Sequence, residues 1–113
     1  MWFRVLVGIP LGTALAEEIV FRGVLLAAFD RLTTSRRAVV ATSLLFGLWH
    51  VGAEVARTGA MSVGIVPGGL ATTAASAVVL CPLRRWTGDL AAPVAVHTVI
   101  NAGVLVAVIV LRR

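Results

Sequence analysis

Six residues in three short clusters carry side chains able to do chemistry: Glu17, Glu18 and Arg22, then His50, then His97 with Asn101. Each cluster lies inside a long apolar run. An ionisable group at membrane depth costs several kcal/mol unless it is paired or hydrated. Glu18 and Arg22 are four apart, so on a helix they share a face and can pair. That pair offsets much of the burial penalty of both charges. Glu17 lies about 100° round the helix from Glu18. It has no sequence-local cation, so its partner must come from another helix or from water. Phe46 and His50 share a face, and so do His97 and Asn101. Three helices can therefore turn polar groups toward one wet cavity.

A carboxylate beside an imidazole can activate water, the carboxylate taking the proton. A second imidazole and an amide can stabilise a developing oxyanion. This set fits water attack on a peptide bond. Glu17, His50 and His97 could instead be three metal ligands of a zinc ion, with water in the fourth position. The spacing is not HExxH, so the sequence leaves a metal-bound and a metal-free water both open. A serine route has little support: no GxSxG occurs, and Ser43, Ser62 and Ser76 lack motif context. One intramembrane His is more often a helix–helix hydrogen-bonding group, and one Glu–Arg pair can be structural glue. All three clusters on three separate spans point to a site.

The elements that must position these residues follow from composition. The chain has 113 residues, 59% hydrophobic and 13% charged, with mean hydropathy +1.01. Soluble domains run nearer 45–50% apolar and about 25% charged. A disordered tail and a disulfide-rich module are excluded, the latter because Cys81 is alone. Four apolar runs stand out, Val5–Phe29, Ala38–Glu54, Met61–Leu83 and Leu90–Leu111. Each is about 17–25 residues, the length a helix needs to cross a bilayer. The fold class expected is all-α, a polytopic transmembrane helix bundle of about four spans forming a single membrane domain over residues 1–113. The first run is no cleavable signal, because it is long and carries two glutamates and an arginine.

Finer expectations attach to particular residues. Pro67-Gly68-Gly69 predicts a kinked or re-entrant third span. Gly8/Gly12 and Gly64/Gly68 are GxxxG pairs that would let helices approach closely. Trp2 and Trp86 fall where interfacial aromatics belong. Asp30, Glu54 and Asp89 read as solvated surface charge. The net charge of +5 comes from ten arginines, nine of them at chain ends or between apolar runs. That distribution suits membrane lipid and not nucleic acid. The arginines divide evenly between the two sides, so they set no topology. Depth tests the grouping: at about 1.5 Å per residue Glu17 lies ~18 Å in, Asn101 ~15 Å, His97 ~21 Å and His50 only ~6 Å. Extending the second span to Arg57 would bring His50 to ~10 Å.

At these residues the sequence resembles the CPBP intramembrane proteases, also called the Abi or CAAX-protease-like family. The family includes CAAX prenyl endopeptidases of the Rce type and proteins linked to bacteriocin self-immunity. Its EExxxR motif is matched by Glu17, Glu18 and Arg22, its FxxxH by Phe46 and His50, and its HxxxN by His97 and Asn101. The flanks Phe21-Arg22-Gly23 and Gly88-Asp89-Leu90-Ala91-Ala92-Pro93 also look similar, and the resemblance spans about Leu15 to Gly103. It implies proteolysis within or near the bilayer, on a peptide or protein substrate that in this family can be prenylated. It implies that Glu17 and His50 activate the water, that His97 and Asn101 support the oxyanion, and that Glu18 and Arg22 shape the site. The family is often labelled metalloprotease, and zinc is the cofactor the residues could hold. Longer relatives have extra spans before the first motif, so the chain reads as a minimal core, a truncated product or a fragment. The rival functions are a non-enzymatic immunity or binding protein of the same fold, and a proton or ion pathway.

Overall fold

A computed structural model describes residues 1–113. The chain forms four helical rods and no strand. Helix α1 joins four consecutive segments, Arg4–Leu15, Ala16–Glu18, Ile19–Leu25 and Leu26–Leu32. Helix α2 is Ser35–Thr58, α3 runs through Ile65–Ala75, Ser76–Leu80 and Cys81–Thr87, and α4 is Ala91–Leu111. Helices α2, α3 and α4 are each long and apolar enough to cross a membrane. Only 17 of 113 residues are buried, and the exposed ones include Val24, Leu48, Leu70, Val78 and Val99. An exterior this apolar belongs against lipid. The protein is an integral membrane protein.

The ends of the rods have local causes. The Thr34 hydroxyl accepts from the Arg37 N–H at the start of α2, the side-chain cap a helix N-terminus favours. Gly59 and Gly88 end α2 and α3 with φ of 79° and 73°, a left-handed conformation that glycine adopts without a Cβ clash. The Asp89 carboxylate accepts from the Ala92 N–H and opens α4. Pro67 does not interrupt a span. It sits in the first turn of α3, where its missing N–H would have had no helical partner. The third span therefore starts at Ile65 and not at Met61, and the expected kink or re-entrant turn at Pro67 is absent. Pro82 lies inside α3 and lacks the N–H that would bond Val78. The turn before it is wound wider, as a π-helix over Ser76–Leu80, with the Cys81 N–H bonded to the Ser76 carbonyl. The π-helical stretch Arg4–Leu15 of α1 likewise contains a proline, Pro10.

Each rod buries one narrow stripe. On α1 it is Ala14, Glu18, Phe21, Arg22 and Leu26; on α2 it is Ala38, Thr42, Phe46 and neighbours; on α4 it is Pro93 and His97. Phe21, Phe46 and Leu80 pack as one apolar cluster, Leu26, Ala38 and Cys81 as another. Ser43 and Ser76 share a buried hydrogen bond of 2.9 Å between α2 and α3, so these serines cross-link helices instead of facing a site. The backbones of α2 and α3 come closest at Gly47 and Gly69. A Cβ on Gly47 would lie 2.9 Å from the Gly69 carbonyl oxygen and collide with Thr73. The GxxxG pairs do not serve this purpose, since a Cβ at Gly12 or Gly68 would meet nothing within 4 Å. Gly47→Ala is accordingly expected to lower stability by about 1–3 kcal/mol through overpacking, measured as a lower unfolding midpoint in detergent, while Gly12→Ala leaves the midpoint within error.

Two of the acidic residues read as solvated surface are tied down. Asp30, at the end of α1, is exposed but pairs with Arg85 near the end of α3. Glu54 is half-buried and pairs with Arg57 one turn on. Trp2 and Trp86 are exposed at helix ends.

Candidate active site

The interior stripes of three rods place the chemistry. Glu18 follows Ala14 by four residues on the buried face of α1 and is itself fully buried. His50 follows Phe46 by four on α2, and His97 follows Pro93 by four on α4. Helix α2 continues to Thr58, beyond the expected end at Glu54. That sets His50 about 12 Å from the helix end at ~1.5 Å per residue, which removes about half of the depth mismatch with Glu17 and less than half of that with His97.

Glu18 forms the buried end of the cluster. Its Oε1 accepts from Arg22 Nη1 at 3.1 Å and from His97 Nδ1 at 2.7 Å. Arg22 also stacks over the Phe46 ring, 4.1 Å from its centroid, a cation–π contact made in a dry interior. The Phe46 ring meets Phe21 at 4.9 Å, His50 at 4.5 Å and His97 at 5.6 Å. The Phe46 carbonyl is 2.8 Å from His50 Nδ1.

These bonds fix the imidazole orientations. A carbonyl can only accept, so His50 Nδ1 carries a proton and its Nε2 is free to act. A carboxylate paired with Arg22 also only accepts, so His97 Nδ1 donates to Glu18. Both Nε2 atoms then face Glu17. His50 Nε2 is 3.6 Å and His97 Nε2 is 3.5 Å from the same oxygen, Glu17 Oε2. Those distances are too long for good hydrogen bonds, and Glu17 Oε2 is buried with no hydrogen-bond partner. The other oxygen, Oε1, lies 3.4 Å from the Trp49 indole Nε1. Three electron-rich atoms facing one point is an arrangement that the protons of a water or a cation would satisfy.

The same three atoms could hold a metal ion. They lie within 4.8 Å of one another. Ligand atoms around a tetrahedral zinc at ~2.1 Å stand about 3.4 Å apart, close to the two Glu17–His separations. Each His also donates its other ring N–H to a carboxylate or carbonyl, the support that metal-bound imidazoles usually have. The donor set therefore fits zinc.

Asn101 stands apart from this point. It is half-buried one turn beyond His97 and lines a cavity of about 830 Å³ together with His50 and His97. Glu17 lines instead a smaller apolar recess of about 140 Å³ with Ala16, Val20, Phe21 and Trp49. The two histidines thus link the carboxylate to the larger cavity. Trp49 went unassigned in the sequence, because an indole one residue before a His is indistinguishable there from a lipid-facing aromatic. Arg4, Glu54 and Arg57, which also line the larger cavity, gave no signal because they sit at apparent span ends.

An all-helical membrane protein that gathers two glutamates, an arginine and two histidines from three rods belongs to the class of polytopic proteins with a hydrophilic site at membrane depth. Its family follows from comparison. The family model for type II CAAX prenyl endopeptidase Rce1-like proteins matches residues 1–103, and the chain belongs to that family. Comparison with curated proteins and with solved structures returns no match.

Proposed function

We propose that the protein is an intramembrane endopeptidase that hydrolyses a peptide bond near the membrane surface. The convergence of His50 Nε2 and His97 Nε2 on Glu17 Oε2 carries this proposal. Glu17 takes a proton from a water held between it and His50, and the water oxygen attacks the substrate carbonyl. The proton that Glu17 takes is shared with His97 Nε2, 3.5 Å away, so that this imidazole, held at Nδ1 by Glu18, and the Asn101 amide meet the oxyanion. Glu17 then returns its proton to the leaving amine. Arg22 pairs with the Glu18 oxygen that also meets His97 Nδ1, so that His97 stays in its orientation. Zinc, when bound, would be held by Glu17, His50 and His97, and would polarise the attacking water. The name of the family supports a prenylated CAAX peptide as substrate, and the cell membrane as a setting agrees with the apolar exterior.

The test uses detergent-purified protein and a farnesylated CAAX peptide in water enriched in oxygen-18. One labelled oxygen is expected in the new carboxylate of the product. Absence of any product, or a product whose label arrives only through a trapped acyl-enzyme, overturns the proposal. Challenge with 1,10-phenanthroline separates the two forms of the water: lost activity restored by zinc assigns the metal, and retained activity assigns Glu17 alone. Asn101→Ala is expected to lower kcat by about 10²–10³ with little change in KM, the size seen when one oxyanion donor is removed.

A further inference from the structure

Trp49 is the one tryptophan that does not stand near the end of a rod. Trp2 and Trp86 are exposed at helix ends, the depth at which interfacial indoles lie. Trp49 sits in the middle of α2, Ser35–Thr58, about 14 Å from one end and 21 Å from the other at ~1.5 Å per residue. Its ring is exposed and so meets hydrocarbon, where an indole N–H without an acceptor is costly. The N–H is turned inward instead, to Glu17 Oε1 at 3.4 Å. The recess around this contact is otherwise walled by Ala16, Val20 and Phe21, so the indole is the polar partner that the recess offers the carboxylate. Phe21 lies four residues after Glu17 and shares its face of α1. The Phe21 and Trp49 rings are 6.4 Å apart and tilted by 60°, which packs the indole against that face.

The two oxygens of Glu17 therefore have different neighbours. Oε2 faces His50 Nε2 and His97 Nε2 without a hydrogen bond, and Oε1 faces the indole. Rotation of a carboxylate about its last bond is broad and roughly two-fold, so contacts of 3.6 and 3.5 Å hold its plane loosely. An indole Nε1–H can only donate, so it selects one oxygen and fixes which one stays free. We infer that Trp49 is a positioning residue for the hydrolysis: its N–H holds Glu17 Oε1 and thereby aims Oε2 at the point between His50 and His97. This rests on the endopeptidase reading above, and the role is the same for either form of the attacking water. At 3.4 Å the bond is long, and hydrogen bonds of a catalytic site commonly tighten once substrate is bound. Trp49 and His50 are neighbours on α2, so one helix supplies both the anchor for the carboxylate and the imidazole beside it. A tryptophan serving only as lipid-facing bulk would act through stability and not through rate.

The test uses the full chain in detergent and the farnesylated peptide. Trp49 is replaced by β-(3-benzothienyl)alanine, which keeps the bicyclic shape and puts sulfur in place of the N–H. The replacement is expected to lower kcat about tenfold, the low end for a hydrogen bond to a charged group, with KM and the unfolding midpoint unchanged. 5-Fluorotryptophan at the same position keeps the N–H and should restore the rate. Trp49→Phe should lose at least as much kcat, yet lower the residual rate of Glu17→Gln no further, because it acts through that carboxylate. A second measurement needs no turnover. In Trp2→Phe/Trp86→Phe protein Trp49 is the sole tryptophan. Its ultraviolet resonance Raman N–H band should report a bonded indole that becomes free in Glu17→Leu. A band that Glu17→Leu leaves unmoved overturns the inference. So does a kcat loss that 5-fluorotryptophan shares, a loss confined to KM or the midpoint, or a further loss in the Glu17→Gln background. If the sulfur isostere cleaves at the wild-type rate, the hydrolytic reading stands without Trp49. If the band shows the bond but the wild type cleaves nothing, the hydrolytic reading falls and the positioning role falls with it.

Discussion

Glu17→Gln is expected to reduce peptide cleavage by at least about 10²-fold, toward the 10⁴-fold upper range for a general base, while the protein still inserts and folds. The two expectations have separate causes. Gln cannot take a proton from water, and its amide presents a donor or a neutral oxygen where His50 and His97 meet a carboxylate. Stability is insulated, because Glu17 has no arginine partner and its contacts to the two histidines are 3.5 and 3.6 Å. The measurement is initial rate on the farnesylated peptide beside helix content and unfolding midpoint. Unchanged rate in the variant removes Glu17 from catalysis. A non-enzymatic binding protein would tolerate the substitution, and an ion pathway would show pH-driven flux in liposomes with no peptide product.

Breaking the pair behind it should act in the opposite way, on the fold first. Arg22→Met is expected to destabilise by about 3–5 kcal/mol, the range for stripping one partner from a buried ion pair. Glu18 would be left fully buried without its cation, with only the His97 Nδ1 contact at 2.7 Å remaining. The Phe46 ring would also lose the guanidinium stacked on it at 4.1 Å. Glu18→Gln strands Arg22 in the same manner. The double variant Glu18→Gln/Arg22→Met should be less destabilised than the sum of the two, because neither bare charge remains. Additive midpoints in that cycle would mean that Glu18 and Arg22 act independently.

The polar clusters were legible in the sequence because a glutamate or histidine within an apolar run has few innocuous explanations. Four-residue spacing then said which of them share a face, and Glu18–Arg22 and His97–Asn101 follow it. Hydropathy was less informative about ends. Helix α2 runs on through Glu54 and Arg57, since charged side chains there reach the cavity and each other and need not terminate a rod. Pro67 was misread because proline is compatible with a first helical turn as well as with a break. The contact at Gly47 was hidden for a different reason: close approach depends on what the facing helix presents, and Gly69 is far away in sequence. The placement of Trp49 beside Glu17 and of Arg57 in the cavity wall required the third dimension altogether.

Phe46 touches nearly every part of the cluster. Its ring lies against Arg22, Phe21, His50 and His97, and its carbonyl orients His50. One benzyl group therefore sets both the cohesion of the bundle and the aim of the reactive groups. Gentle warming should for that reason silence the enzyme before the rods unwind. Turnover is expected to fade together with the near-ultraviolet dichroism of the aromatic residues, at a temperature where the far-ultraviolet helical signal is still intact.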